Sequence, residues 1–190
     1  MMQRTTTSVP SDAFPPQNEA AEARVLGALL IIGSMEVGDP DAAATTMANR
    51  IIALLRPSDF SRQWHRRVYL AILRARRASA GAGYQDICRA LREQGQAPAL
   101  EDSDLVGLME APVTIAYTLD DAAAVHDTAI RRELLRLSGA IASLAYDTDA
   151  AQAIAQAQQR LTLLAARCAV SVPESVTTNG LKRQSVEIPV

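Results

Sequence analysis

Lysine is nearly missing from this chain: 190 residues hold one, Lys182, beside eighteen arginines. A phosphate-cradling P-loop requires G-x-x-x-x-G-K followed by Ser or Thr, and Lys182 follows Leu181 instead of glycine, so no ATPase of that type is encoded here. Aromatic residues are also scarce, at 4%, and β-branched runs are few, which argues against an all-β sandwich or barrel. The two cysteines, Cys88 and Cys168, fit a reducing cytosol better than a disulfide scaffold. Both stand at apolar positions and are expected as small core residues. Together with His65 and His126 they show no metal-ligand spacing, so neither a metal nor another cofactor is expected. No run of about 18 consecutive apolar residues exists, so no membrane-spanning helix is predicted. The first fourteen residues are rich in Thr and Ser and lack the apolar stretch of a secretory leader. A net charge of −2 excludes a generally basic nucleic-acid coat protein.

What is abundant is alanine, with 35 residues within a 48% apolar composition. Alanine loses no side-chain entropy in a helix, and the chain reads as all-α: a small helical globule followed by a long antiparallel helical hairpin. Residues 1–17 are expected to form a disordered tail. Asn18 is a candidate N-cap, with Glu19 and Glu22 near the positive end of a helix carrying Val25, Leu26, Leu29, Leu30 and Ile32. Gly33 and Gly38-Asp39-Pro40 should break it. A second helix spans about 41–55, with Met47, Ile51 and Leu54 on one face and Pro57 beyond its end. Further helices are predicted over about 61–79 and 84–94. After a loop at 96–102 comes a short turn with Leu105, Leu108 and Met109, closed by Pro112. The globule therefore covers 18–113, the hairpin 114–169, and 170–190 reads as linker.

In the hairpin a stripe runs Leu119, Ala123, His126, Ile130, Leu134, Leu137, Ile141, Leu144. After Tyr146-Asp147-Thr148-Asp149 a second seam follows: Ala150, Ile154, Ala157, Leu161, Leu164, Cys168, spaced like a heptad a/d line. Two such helices joined by a four-residue loop should fold back as an antiparallel helical hairpin. His126, on the stripe, is expected as a packed histidine and not as a base or ligand.

No catalytic constellation emerges: His65 has no nucleophile at a recognisable elbow, and adjacent carboxylates such as Asp120-Asp121 diverge on a helix. The most informative segment is 61–79, where Arg62, Arg66, Arg67, Arg74, Arg76 and Arg77 occur without any acid. Tyr69, Leu70 and Leu73 sit among them. Either another element covers these apolar residues, or the mixed basic-apolar face meets a partner. Residues 84–128, by contrast, hold nine acids and two arginines, so opposite faces could pair within or between subunits. A second face of the hairpin, Leu135, Ala142 and Tyr146, reads either as isolated exposed residues or as an oligomer seam.

Several strings, taken in order, resemble the N-terminal domain of DnaB-family replicative helicases. They are Pro15-Pro16-Gln17-Asn18-Glu19-Ala20-Ala21-Glu22 with Val25-Leu26-Gly27-Ala28-Leu29-Leu30, then Leu55-Arg56-Pro57-Ser58-Asp59-Phe60 with His65-Arg66, Tyr69 and Ala71-Ile72. Asp86-Ile87 with Leu91, Ala129-Ile130-Arg131-Arg132-Glu133-Leu134 and Ile141-Ala142-Ser143-Leu144-Ala145-Tyr146-Asp147 continue the match across about 14–168. The resemblance implies a domain without chemistry of its own, which pairs subunits through its hairpin and binds the C-terminal domain of a DnaG-type primase. Three features depart from the family pattern: a longer stretch between Ile32 and Leu54, an altered segment before Leu105, and the end of the chain where linker and ATPase would begin. The expectation is thus a non-catalytic cytoplasmic module that binds itself and primase or helicase collar, touching DNA only indirectly. Its contacts are expected at Arg62, Arg66, Arg67, Tyr69, Leu70, Leu73, Arg74, Arg77, Leu135, Ala142 and Tyr146. The alternatives are a fragment of a full helicase and a DNA-binding regulator using the Arg62–Arg77 helix.

Overall fold

The computed structural model describes residues 15–36, 42–78, 83–93, 102–112, 114–147 and 149–169. The expected break at Gly38-Asp39-Pro40, most of the loop expected at 96–102, and the tails at 1–14 and 170–190 lie outside them. The described residues form seven helices and no strand: α1 (Glu19–Glu36), α2 (Ala42–Leu54), α3 (Gln63–Ala78), α4 (Tyr84–Glu93), α5 (Asp102–Glu110), α6 (Thr118–Asp147) and α7 (Ala150–Cys168). Single 3-10 turns precede α3, at Pro57–Asp59, and α6, at Ile115–Tyr117. The all-α class and the long terminal hairpin are as expected.

The chain punctuation explains most boundaries. Asn18 caps α1, its Oδ1 accepting from the Ala21 amide at 3.1 Å and its carbonyl from that of Glu22 at 3.0 Å. Asp149 caps α7 by accepting from Gln152 N at 3.1 Å. Pro57 opens the 3-10 turn after α2, where a missing N–H costs nothing. Gly33 does not break α1, which continues to Glu36.

Helix α1 is the axis of the globule. It packs against α2, α3, α4, α5 and α6. Its buried set, Ala21, Val25, Leu26, Ala28, Leu29, Leu30 and Ile32, covers more than half of the circumference, a wide face suited to a central helix. Around it sit Ile51 and Leu54 of α2, Val68, Tyr69 and Ile72 of α3, Ile87 and Leu91 of α4, and Leu105 and Leu108 of α5. Each fully buried Leu or Ile contributes about 1.5–3 kcal/mol. Phe60 and Tyr69 stack with centroids 4.8 Å apart.

The buried face of α6 coincides with the predicted stripe only at His126 and Leu137. Thr118, Ala122, Val125, Ala129 and Arg132 go inward, whereas Ala123 and Leu134 are exposed and Leu119, Ile130, Ile141 and Leu144 are half-buried. At about 100° per residue, the inward face is rotated by roughly a quarter turn from the predicted one. Small residues win because α6 lies close along α1. The α7 seam is rotated likewise: Ile154 and Leu161 are exposed, and so is Cys168, contrary to its expected core role. Cys88 and His126 are buried as expected.

One glycine is required by contact. A Cβ on Gly27 would fall inside the Leu108 backbone carbonyl at the end of α5 and against Pro112, while one on Gly107 would meet nothing. Gly27→Ala should lower stability by about 1–3 kcal/mol through forced separation of α1 and α5. Gly107→Ala should raise it by up to about 1 kcal/mol. Urea unfolding of both variants checks the pair.

Candidate protein-interaction site

Two carboxylates lie inside the protein, and each is held by long-range partners. Glu22, on the buried side of α1, receives Ser61 N–H at 2.7 Å and pairs with His65 Nδ1 at 2.7 Å. Burial pushes the Glu22 carboxyl up, but the bonds from His65 and Ser61 outweigh it, and its pKa lies below the ordinary value of 4.5. This pair joins α1 to the start of α3.

Asp59, fully buried in the 3-10 turn, joins the globule to both hairpin helices. Its Oδ2 accepts from Arg56 N at 2.9 Å, and its Oδ1 pairs with Arg167 of α7. Its backbone carbonyl accepts from Arg132 of α6, which also donates to Pro16 O at 2.9 Å. His126 Nδ1 stands 3.8 Å from Asp59 Oδ2. Burial pulls the Arg132 guanidinium down, with the Glu22 charge opposing. Tyr69 donates to Leu55 O at 3.1 Å beside this cluster, and burial pushes its hydroxyl up. Outside the junction, Arg24 forks onto Asp121 with contacts of 2.6–3.1 Å, tying α1 to α6.

Sequence reasoning gave His65 no role, read Glu22 only as an N-terminal charge, and passed over Arg132 and Arg167. A usable sign was present for Arg132. It continues the Ala122, Val125, Ala129 line at steps of 3, 4 and 3, and a charged residue on a buried helical face requires a partner.

The predicted contact residues divide. Tyr69 belongs to the core and is not part of the outer face of α3. Arg62 is bound to Glu19, and Arg66 donates to Phe60 O at 3.0 Å, so both serve the α1–α3 corner. Leu70 and Leu73 are half-buried, Arg67 is half-buried, and Arg74 and Arg77 are exposed. Leu73 and Arg77 line a shallow groove of about 330 Å³ with Ile52, Asn49 and Arg76. The structure thus leaves a basic-apolar face on the outer side of α3, although a smaller one than expected. On the hairpin, Leu135, Ala142 and Tyr146 form an exposed line, with Tyr146 91% exposed. Leu134, Ile154 (58%) and Leu163 (66%) add apolar surface that the described residues leave uncovered. Among the described residues no cluster of His, Cys, Asp and Glu is suited to a metal, and no helix is long and apolar enough to cross a membrane.

Removing the Asp59 carboxylate strands Arg167 and breaks the hairpin anchor. Asp59→Ala should cost about 3–5 kcal/mol in urea unfolding. Glu22 gives a pH dependence of fixed sign. Its folded pKa is below the unfolded one, so its contribution is complete above the unfolded value and disappears as pH falls through the folded value. Stability of the parent chain should therefore fall more steeply below about pH 4.5 than that of Glu22→Gln, while the variant is weaker at neutral pH by about 1.5–3 kcal/mol. Unfolding curves from pH 3 to 7 compare the two.

Residues 14–127 match the family described as the DnaB-like helicase N terminal domain. Among solved structures, the N-terminal domain of DnaB helicase from Mycobacterium tuberculosis is similar, with a TM-score of 0.67 and 26% identity; the likeness covers 78% of this chain and 99% of that one. No curated protein sequence matches. The matched range takes in α1 to α5 and the first part of α6, including Glu22, Asp59 and His65 of the two polar junctions. The helical globule and the hairpin it carries are thus a replicative-helicase-related module, and the chain belongs to the DnaB-like helicase N-terminal domain family.

Proposed function

We propose that this chain is a non-catalytic interaction module of DNA replication, working in the cytoplasm, which self-associates through its hairpin. The observation that carries this reading is the uncovered apolar surface of α6 and α7: Leu134, Leu135, Tyr146, Ile154 and Leu161 are all exposed in one chain. Exposed apolar patches of this kind mark protein interfaces, and a self-complementary face on a two-helix hairpin suits a two-fold pair. The back line Leu135, Ala142, Tyr146 and the exposed seam of α7 supply the contact.

The second partner is a DnaG-type primase C-terminal domain or the collar of a replicative helicase, met through the outer face of α3. Arg67, Arg74 and Arg77 with Leu70 and Leu73 favour an acidic, apolar-flecked helix. DNA is reached only through those partners, since Arg62 and Arg66 are engaged within the fold. Membership of a helicase-derived family equally supports the front part of a helicase whose ATPase domain supplies the unwinding.

Size-exclusion chromatography with light scattering tests the first contact. The parent chain should run as a dimer or larger, and Leu135→Asp with Tyr146→Asp should give a folded monomer. A strict monomer of the parent chain at high micromolar concentration refutes self-association. For the second contact, Arg74→Glu with Arg77→Glu should weaken capture of the primase C-terminal domain by at least tenfold without altering oligomeric state. Unchanged capture rejects the α3 face.

A further inference from the structure

A cleft of about 750 Å³ opens between α6 and α7 where the hairpin returns to the globule. Its wall holds four arginines from three elements: Arg56 before the 3-10 turn, Arg136 on α6, and Arg160 and Arg167 on α7. One carboxylate, Glu133, faces them. Leu137, Ala140, Leu163, Leu164 and Ala166 make up the rest. The volume is that of a small-molecule site, normally about 300–1,000 Å³.

The charges in the cleft do not cancel. Glu133 is taken by Arg136 at 2.9 Å, and Arg167 is held by Asp59. Arg56 and Arg160 have no carboxylate partner among the described residues. Two excess guanidiniums therefore converge on one cavity, with a third pre-oriented by its bond to Asp59. Arg167 Nε is buried and has no hydrogen-bond partner there. Guanidiniums present planar pairs of donors that match phosphate oxygens, and several together on one ligand favour more than one phosphate. The leucine and alanine wall adds an apolar surface against which a flat ring can lie.

From this we infer that the cleft binds an oligophosphate anion, with a nucleoside di- or triphosphate as the ligand class that fills both its cationic and its apolar part. The site lies apart from the proposed self-association face. At about 100° per residue, Leu135, Ala142 and Tyr146 fall roughly 130° around α6 from Glu133, Arg136 and Ala140. Pairing through that line leaves the cleft open, so the two readings fail independently. Binding there bridges α6, α7 and the globule, and it should stabilise the hairpin against the body.

Isothermal titration of the full chain at low salt with a nucleoside triphosphate, pyrophosphate and the bare nucleoside tests the inference. The triphosphate should bind with a Kd below about 1 mM, more weakly at physiological salt, and should raise the melting temperature. The bare nucleoside should not bind. Pyrophosphate weaker than the triphosphate identifies a nucleotide as ligand; equal affinity identifies an inorganic oligophosphate. Arg56→Gln and Arg160→Gln, both at exposed positions, should keep the parent's melting temperature and each weaken binding about tenfold, whereas Arg131→Gln, on the far side of α6, should change nothing. No saturable heat with triphosphate at millimolar concentration overturns the proposal, as does equal affinity for the parent chain and the two arginine variants.

Discussion

One buried carboxylate ties both helices of the hairpin to the globule. Asp59 stands between the turn that leads into α3, Arg132 on α6 and Arg167 on α7, so three parts of the chain far apart in sequence meet there. Such an arrangement is costly to assemble, since ions leaving water lose several kcal/mol each. Once formed it is costly to break, because any one member left alone is an unpaired group in a dry site. The buried pair Glu22–His65 repeats the logic at the opposite side of the turn. Between them the two acids fix the segment 56–65, the only connection between α2 and α3, against α1, α6 and α7.

This anchoring explains why the hairpin is unlike an ordinary coiled pair. In a two-helix coil the apolar seams face each other and fix rotation by packing. Here Arg132 and Arg167 both point toward Asp59, and that requirement, together with the close approach of α6 to α1, sets the rotation of the two helices. The seams are turned aside as a consequence. Ile154 and Leu161 look outward, and the cleft lined by arginines opens on the inner side. Rotation by polar anchoring thus creates two surfaces at once: an apolar outer one suited to a second protein and a cationic inner one suited to an anion.

The helix ends were legible in the sequence because local chemistry decides them. Asn18, Pro57 and Asp149 act within three residues of their own positions, and the described helices begin or end beside them. The fold class followed from composition, and the family from an ordered set of short strings. The face that α6 buries was not legible, since its surface offers two apolar lines and periodicity counts hydrophobicity without weighing size. The line Ala122, Val125, Ala129 lies against α1 because its side chains are short; the larger residues of the other line would hold the helices apart. Tyr69 was misplaced for a related reason: among arginines its neighbours suggested a surface, but its hydroxyl reaches Leu55 O across the chain reversal. Pairs such as Glu22 with His65, and Asp59 with Arg167, are separated by 43 and 108 positions and have no local signature.

The near absence of lysine fits the same architecture. Arg132 donates at once to the Pro16 carbonyl and the Asp59 carbonyl, connecting the segment before α1 with the turn before α3 through one planar group. A lysine ammonium is a compact, strongly hydrated charge that offers no fixed fork of donors, and burying it costs more for fewer directed bonds. Arg24 makes the point again on the other side of α6, where its Nε and Nη2 grip both oxygens of Asp121. Where helices must be joined by polar contacts in sheltered places, a rigid multi-donor cation holds distance and angle together. A chain whose interior and clefts are organised in this way has reason to use arginine eighteen times and lysine once.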